Sequence, residues 1–274
     1  MNINSFSIKN ITCKIYKVAV NLSAQKGKRT GGYWLKWQKE LKKYENIHQG
    51  ETAFLIGNGP SVRIEDLEKL KGNITFCCNK FYMSYADHSF RPTYTVSADD
   101  KMIEDFGNEI VRNSEGIVWF CSAFPIQQEE KEFEWVFLQS KKLRLEKDAL
   151  LAGAYHTGAT LLAALQIGYY MGIRKFVLYG VDHNFKYDSS DAKSSRTEGN
   201  HFIGNYREGK TWYVPNTERI EESFQKMVDL LESQEGWLIN ASRETKLPYI
   251  KRVLFEDCLL FAEQQRHFSG RCPL

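Results

Sequence analysis

Short apolar runs alternate with helical patterns along most of the chain. The first run, residues 53–56, leads into a glycine-containing turn and then into a helical stretch over residues 64–70. Similar runs that predict strands lie at residues 74–78, 93–97, 116–121, 175–180 and 237–241. Short buried strands separated by helices indicate a mostly parallel sheet with helices on both faces. The pattern therefore predicts an α/β, Rossmann-like fold.

Two helices are predicted between the later strands. Residues 157–171 are nearly all apolar, which is typical of a helix buried on every side. Residues 218–231 alternate apolar and charged positions as an amphipathic helix does. We see no internal repeat, and we expect one Rossmann-like domain over residues 49–274.

Residues 1–48 read as a separate, basic N-terminal helical arm. Trp34, Trp37, Leu41 and Tyr44 recur at helical spacing with lysines between them, after a break at Gly31-Gly32. One interpretation is an amphipathic helix over residues 13–49 that rests peripherally on an anionic membrane surface. In the other, the aromatic stripe packs on the protein and the lysines face water.

The charge distribution supports the division near residue 49. The net charge is +3, but residues 1–49 hold ten Lys/Arg and two acids, so the remainder carries −5. An acidic body argues against nucleic acid as a partner. No apolar run approaches the roughly 18 residues of a membrane span. The six cysteines lack metal-ligand spacing, and the first residues do not fit a secretory signal. We therefore expect a cytoplasmic protein. A peripheral contact with the inner face of the membrane is left open.

Polar residues follow the predicted strands, where open α/β sheets bind their ligands. They are Gly57, Asn58, Gly59 and Ser61 after the first strand, Asn79 after the second, Asp99 and Asp100 after the third, and Asp182, His183 and Asn184 after residues 175–180. Glycines would let backbone amides approach a phosphate, although Ser61 would alternatively cap the next helix. The loop is neither a dinucleotide fingerprint nor a P-loop.

Three histidines, His156, His183 and His201, fall in one part of the chain. Histidine is the side chain best suited to take a proton near neutral pH. His201 directly follows a polar segment that is poor in apolar residues, and we expect residues 186–205 to form a lid-like loop. The alternative is an incidental surface histidine, and for His156 and His183 a structural role in capping or core hydrogen bonding.

The ordered set of motifs resembles a known superfamily. The chain is similar to the bacterial MptE-like (6-hydroxymethylpterin pyrophosphokinase-like) proteins of the surface-polysaccharide branch, and distantly to bacterial CMP-sialic acid-dependent sialyltransferases. The resemblance covers about residues 33–257. It rests on residues 54–61 (FLIGNGPS), 76–82 (FCCNKFY), 156–172 (HTGATLLAALQIGYYMG), 177–183 (VLYGVDH) and 200–204 (NHFIG), and for the MptE-like proteins also on residues 212–216 and 238–242 (LINAS).

The resemblance implies roles for individual residues. Gly57, Asn58, Gly59 and Asn79 match donor-nucleotide positions, Thr157-Gly158 matches a nucleotide-contacting pair, and His201 matches the catalytic base. Two tyrosines of the sialyltransferases that assist the leaving phosphate align here with Asn184 and a position near Ser190. His183, Lys186 or Tyr187 would have to substitute for them.

Three hypotheses about function follow. The first is an inverting glycosyltransferase that uses a nucleotide-sugar donor, such as a CMP-activated nonulosonic acid, and a glycan acceptor in surface-glycan biosynthesis. It needs no cofactor, because hydrogen-bond donors can stabilise a leaving phosphate diester. The second is a pyrophosphokinase that uses ATP and Mg²⁺ held by Asp99, Asp100 and Asp182, unless Asp99 or Asp100 caps a helix. The third is a non-catalytic nucleotide-binding module.

Overall fold

The fold is described from a computed structural model of the 274-residue chain. It describes residues 3–30, 32–123, 126, 132–139, 149–187, 193–194 and 199–269. For residues 3–13, 28, 193–194 and 265–269 only the backbone is considered. Gly31, Ser190 and much of the predicted lid lie outside the described residues.

A parallel sheet forms the centre of the molecule. In the described part of the chain nine strands pair in the order β11-β10-β7-β1-β2-β3-β4-β5-β6, every neighbouring pair is parallel, and β8 and β9 form a small antiparallel pair. The predicted α/β Rossmann-like fold is confirmed. The strands are β1 (Thr52–Ile56), β2 (Ile74–Cys78), β3 (Tyr94–Ser97), β4 (Ile117–Ser122), β5 (Glu134–Gln139), β6 (Ala154–Tyr155), β7 (Lys175–Tyr179), β8 (Lys193–Ser194), β9 (Trp212–Tyr213), β10 (Trp237–Asn240) and β11 (Lys251–Arg252).

Helices cover both faces of the sheet, because successive strand residues point to opposite sides. Leu55 of β1 joins a core shared with α1, α2, α5 and α6, whereas Phe54 and Ile56 join one shared with α3 and α7. The helix α4 packs on Val118 and Phe120 of β4. The helices are α1 (Ile3–Thr30), α2 (Lys36–Leu41), α3 (Ile64–Lys69), α4 (Asp100–Asn113), α5 (Thr160–Tyr170), α6 (Thr217–Glu232) and α7 (Phe255–Ser269), with short 3₁₀ turns at Lys42–Tyr44, Phe81–Ser84 and Ala149–Ala152.

The aromatic stripe of the N-terminal arm packs on the body. Trp37, Leu41 and Tyr44 are buried in the same core as the central strands, while Trp34 is 53% exposed. Trp37 meets Trp135 of β5 edge to face at 5.5 Å, and Tyr44 meets Trp119 of β4 at 4.7 Å. Three of the four stripe residues are therefore not available to a membrane, which favours the packing interpretation for them.

The direction in which successive strands are added to the sheet reverses between β1 and β7. The strands β1 to β6 run outward in sequence order, and the chain then returns so that β7 pairs with the other side of β1. This reversal is a topological switch point, and ligands of open α/β sheets bind at the carboxyl ends of the strands beside it. The loops after β1 and β7 meet there.

Candidate functional site

A cleft of about 500 Å³ opens at the carboxyl ends of β1, β2, β3 and β7 and extends to the starts of α5 and α6. Its volume is in the range of small-molecule binding sites. Ser61 and Tyr187 are not among the described residues that line it. The predicted residues that do line it are Gly57, Asn58, Gly59, Asn79, Asp99, Asp100, His156, Thr157, Gly158, Asp182, His183, Asn184 and His201.

The glycines after β1 serve the protein's own packing. The Gly57 amide donates to Tyr179 O at 2.8 Å, and the Gly59 amide donates to Gly180 O at 2.9 Å. A Cβ at either glycine would collide with the loop after β7. Close contact between the two loops therefore engages both amides within the protein, and the approach of Gly57 and Gly59 to a phosphate stays a prediction.

Asp182 holds the same loop from the other side. Its carboxylate accepts hydrogen bonds from both the Ser61 amide, at 2.8 Å, and the Ser61 hydroxyl. Burial raises the pKa of Asp182, although these two bonds oppose the rise. The structure thus places Ser61 neither in the cleft nor as the cap of α3, whose N-cap is Arg63.

The three aspartates proposed as magnesium ligands do not act as one group, since two of them have other hydrogen-bond partners. Asp99 caps α4, since its Oδ1 accepts from the amides of Lys101 at 2.9 Å and Met102 at 3.1 Å. Asp182 accepts hydrogen bonds from Ser61. Burial raises the pKa of Asp100. Among the described residues no group of three His, Cys, Asp or Glu side chains could hold a metal ion. The predicted set of Asp99, Asp100 and Asp182 is not assembled.

The start of α5 lines the cleft and has no side-chain cap. Gly158 has φ 89°, a left-handed conformation that favours glycine. Ala159 occupies the N-cap position and provides no side-chain hydrogen bond to the helix. The Thr157 hydroxyl is buried and has no hydrogen-bond partner among the described residues. An uncapped helix N-terminus with an unpaired hydroxyl beside it is suited to an anionic group.

His201 also lines the cleft and stacks on an aromatic ring. Its ring lies on the Tyr206 ring with centroids 3.9 Å apart and an angle of 15°. Burial, with a smaller effect from the charge of Arg207, lowers the pKa of His201 to about 4. The imidazole is therefore neutral at pH 7. Its Nδ1 is buried without a hydrogen-bond partner in the described part of the chain.

Tyr206 connects three segments and was not predicted from the sequence. Its hydroxyl accepts from Asn58 Nδ2 at 2.8 Å and from the Lys80 amide at 3.2 Å. The fully buried Lys80 ammonium is paired with Glu208 and lies 3.8 Å from the centroid of the Phe106 ring. These contacts hold Tyr206, on which His201 stacks, against the loops after β1 and β2. Asn58 Nδ2 also donates to Cys78 O at 3.0 Å, so both of its donors are engaged, whereas Asn58 Oδ1 is buried without a partner among the described residues.

His183, which lines the cleft, is paired with Glu221 of α6. His183 Nε2 lies 2.8 Å from Glu221 Oε1, and the His183 side chain is only 4% exposed. A carboxylate accepts and cannot donate, so Nε2 carries the proton and the Nδ1 lone pair is available in the neutral ring. Glu221 lies on α6, far from His183 in sequence, and was not predicted.

His156 is engaged by Arg219 of α6. The Arg219 guanidinium donates to His156 O and to His156 Nδ1, the latter at 3.1 Å. Burial lowers the pKa of His156, and the charge of Arg219 lowers it further. His156 is thus a neutral acceptor, and Arg219, also unpredicted, brings a permanent positive charge to the cleft near the start of α5.

The predicted lid is joined at its base. The Lys186 amide donates to Asn200 Oδ1, and Asn200 Nδ2 donates to Lys186 O, both at 2.6 Å. Phe202 then donates its amide to Asn58 O at 3.0 Å. Residues 188–192 and 195–198 of the predicted lid lie outside the described residues. Tyr187, at 43% exposure, lies at the base rather than in the cleft.

No protein-family model matches the chain, and no curated protein matches it. The solved structures that are similar to the chain include two glycosyltransferases. One is the MAf glycosyltransferase of Magnetospirillum magneticum AMB-1, with a TM-score of 0.45 and 11% identity over 85% of this chain, which spans only 41% of that protein. The other is the sialyltransferase CstII of Campylobacter jejuni in complex with a substrate analogue, cytidine-5'-monophosphate, with a TM-score of 0.43 and 10% identity over 76% of this chain and 86% of that one.

Similarities with TM-scores below 0.5 do not establish a shared activity. The resemblance to the MptE-like proteins accordingly stays a prediction.

Proposed function

We propose that the protein is a glycosyltransferase that binds a nucleotide-sugar donor in the cleft beside β1 and β7. The observation that carries the proposal is the start of α5, where the helix N-terminus has no side-chain cap and the Thr157 hydroxyl is buried without a partner among the described residues. A nucleotide phosphate would accept hydrogen bonds from both, and the nearby Arg219 would favour its negative charge.

The rest of the cleft suits a sugar nucleotide. Apolar and aromatic side chains, Phe185, Trp212 and Ile220 among them, line its wall and offer surfaces for a base or a sugar ring. Asn184 lies at the same strand end, where its side-chain amide would donate a hydrogen bond to the leaving phosphate. His183 beside it would donate to the phosphate only as the imidazolium, since the one proton of the neutral ring faces Glu221. This proposed chemistry needs no metal, since donors placed around a departing phosphate diester stabilise its charge.

His201 is the proposed general base. It is neutral at pH 7 because burial lowers its pKa to about 4, so it can accept the proton of an acceptor hydroxyl. A donor phosphate bound nearby would raise this pKa, because a negative charge stabilises imidazolium. The base would therefore become stronger when the donor is in place, and an inverting displacement would follow.

Nucleotide binding is the first test. Calorimetric or thermal-shift titrations with CMP, CDP, UDP, GDP and ATP, each with and without Mg²⁺, should give binding to at least one nucleotide that does not need the metal. Binding of ATP only with Mg²⁺ would contradict the proposal and favour pyrophosphoryl transfer. No binding by any nucleotide would remove its basis.

Turnover is the second test. Release of nucleotide from CMP-, UDP- and GDP-activated sugars should be detectable with wild-type protein and fall at least about 100-fold in His201→Ala, in line with the usual contribution of a general base. Nucleotide affinity should stay within a factor of about three of the wild type. His48→Ala, at a histidine outside the cleft, is the matched control. Nucleotide binding with no turnover in any variant would identify a binding module instead.

A further inference from the structure

The long helix α1 carries a second apolar face that the aromatic stripe does not use. Ile15, Val18 and Leu22 are 65%, 58% and 49% exposed. Their spacing of three and four residues places them in one row on the helix surface. Val20, Ser23 and Ala24, on the opposite face, are buried against the body. The row is thus the outward face of a helix already fixed to the protein.

Trp34 extends this row. Lys26 follows Leu22 by four residues, so it lies on the same face, and its ammonium is 5.2 Å from the centroid of the Trp34 ring. The Trp34 amide donates to Ser23 Oγ at 2.7 Å, and Ser23 Oγ donates to the buried Gln38. Gln38 in turn donates to Leu151 O at 2.6 Å. The Trp34 backbone is therefore anchored while its ring stays 53% exposed.

The charged residues of α1 all have one sign, since residues 3–30 contain Lys and Arg and no Asp or Glu. Lys14, Lys26 and Arg29 are exposed on α1, whereas Lys36, at the start of α2, is paired with Glu40. The first acidic residue of the chain is Glu40, after eight Lys and Arg residues. Aliphatic side chains, an exposed tryptophan and cations without acids form the combination that binds at an anionic lipid interface. Nucleic acid would engage the cations but would leave the aliphatic row in water.

We propose that this surface, defined by Ile15, Val18, Leu22 and Trp34 with Lys14, Lys26 and Arg29, binds the protein peripherally to anionic membranes. The helix lies along the membrane plane, with the row inserted among the lipid headgroups and the cations beside the phosphates. No described helix has the length and apolar character to cross a bilayer, so the contact is interfacial. This surface is separate from the cleft, and its test requires no substrate.

Vesicle co-sedimentation of the full-length protein tests the proposal. At low salt the protein should bind vesicles that contain phosphatidylglycerol and not vesicles of phosphatidylcholine alone, and 0.5 M salt should weaken the binding because the attraction is screened. The triple variant Ile15→Ser/Val18→Ser/Leu22→Ser should lose at least about tenfold in affinity. The variant Lys14→Gln/Lys26→Gln/Arg29→Gln should lose about 100-fold, since each cation near an anionic surface contributes a factor of about five.

The matched control is Leu254→Ser/Leu260→Ser, which removes two exposed leucines, 67% and 58% accessible, outside α1. Its affinity should equal that of the wild type. Equal binding by the control and the triple serine variant would overturn the proposal, as would equal binding to neutral vesicles. A concentration-dependent dimer that the serine variant abolishes would identify a second copy of the chain as the occupant and would overturn it too. Circular dichroism of each variant verifies that the exposed substitutions leave the fold intact.

Discussion

At the scale of single residues, the Asp182 carboxylate has a defined energetic role. Replacement by Ala removes both hydrogen bonds from Ser61 and leaves the Ser61 amide without its acceptor. We expect Asp182→Ala to lower the free energy of unfolding by about 2 to 4 kcal/mol, because each lost buried hydrogen bond costs about 1 to 2 kcal/mol. Urea denaturation measures it. The control Asp87→Ala, at an exposed aspartate, should change stability little, and an equal loss in both variants would contradict the role.

His201 should make stability depend on pH. Its pKa is about 4 in the folded protein and 6.5 in the unfolded chain, so between these values the unfolded state binds more protons. The contribution of His201 to the free energy of unfolding is therefore complete above pH 6.5 and decreases as the pH falls towards 4. Urea denaturation at pH 7, 6 and 5 should show a smaller decrease in His201→Phe, which keeps an aromatic ring on Tyr206. Parallel curves for wild type and variant would refute the assignment.

Glu221 should set the tautomer of His183. The carboxylate holds the proton on Nε2, so long-range ¹H–¹⁵N spectra of the wild type above pH 7 should show the Nε2–H tautomer for this ring. In Glu221→Gln the ring should populate both tautomers, because the side-chain amide can donate as well as accept. Glu222→Gln, at an exposed position of the same helix, should leave the spectrum unchanged. A wild-type ring in the Nδ1–H form would exclude this orientation.

At the scale of elements, a substitution at the start of α5 should change folding stability and nucleotide affinity in opposite directions. Thr157→Val removes a buried hydroxyl that has no partner among the described residues, so the variant should be more stable by about 1 kcal/mol. The same change should weaken binding of whichever nucleotide the protein takes by about tenfold, the equivalent of one hydrogen bond of about 1.4 kcal/mol.

Thr95 offers a matched control for this prediction. Its hydroxyl is also buried without a described partner, but it lies on β3 and not on the cleft. Thr95→Val should therefore stabilise the protein similarly and leave nucleotide affinity unchanged. Thermal unfolding and calorimetry measure the two effects, and unchanged affinity in Thr157→Val would place the phosphate elsewhere.

Strands with uninterrupted apolar runs were predictable, and those with charged surroundings were not. The predictions for β1, β2, β3, β4, β7 and β10 fall within about one residue of the structure, because each strand is buried on both faces. The strand β5 begins at Glu134 after an acid-rich stretch, so its short apolar core gave too weak a signal. Residues 157–159 were assigned to a helix that begins only at Thr160, since Gly158 has a positive φ that the sequence does not reveal.

The candidate site was predictable only where chain position determines it. Residues at the carboxyl ends of parallel strands must share one edge of the sheet, and Asn58, Asn79 and His183 were found in this way. Tyr206 and Arg219, which reach the cleft from a loop and from α6, were missed, and so was Glu221 of α6, which contacts His183. The purpose of the glycines was also not predictable, since the sequence does not show that the loop after β7 approaches Gly57 and Gly59.

At the scale of the whole molecule, α1 and α2 belong to the folded core. Tyr16, Trp37 and Trp135 form one aromatic cluster, and Trp37 Nε1 donates to Tyr16 Oη at 3.1 Å. We therefore expect a single unfolding transition in which circular dichroism and tryptophan fluorescence coincide. Trp37→Ala should lower the free energy of unfolding by about 3 to 5 kcal/mol, as for other buried tryptophans. Trp34→Ala, at the exposed neighbour, should cost far less, and early melting of α1 in hydrogen exchange would contradict this integration.

The two hydrogen bonds between Lys186 and Asn200 join the ends of the intervening segment, so the position of the proposed base depends little on the length of that segment. Because the ends of this segment are fastened together, residues can be added or removed between them at a small cost in loop-closure entropy. His201 follows directly after these hydrogen bonds and stacks on Tyr206, which lies outside the segment. We therefore expect that changes of length within the segment leave the proposed base in place, provided that they keep the pairing of β8 with β9.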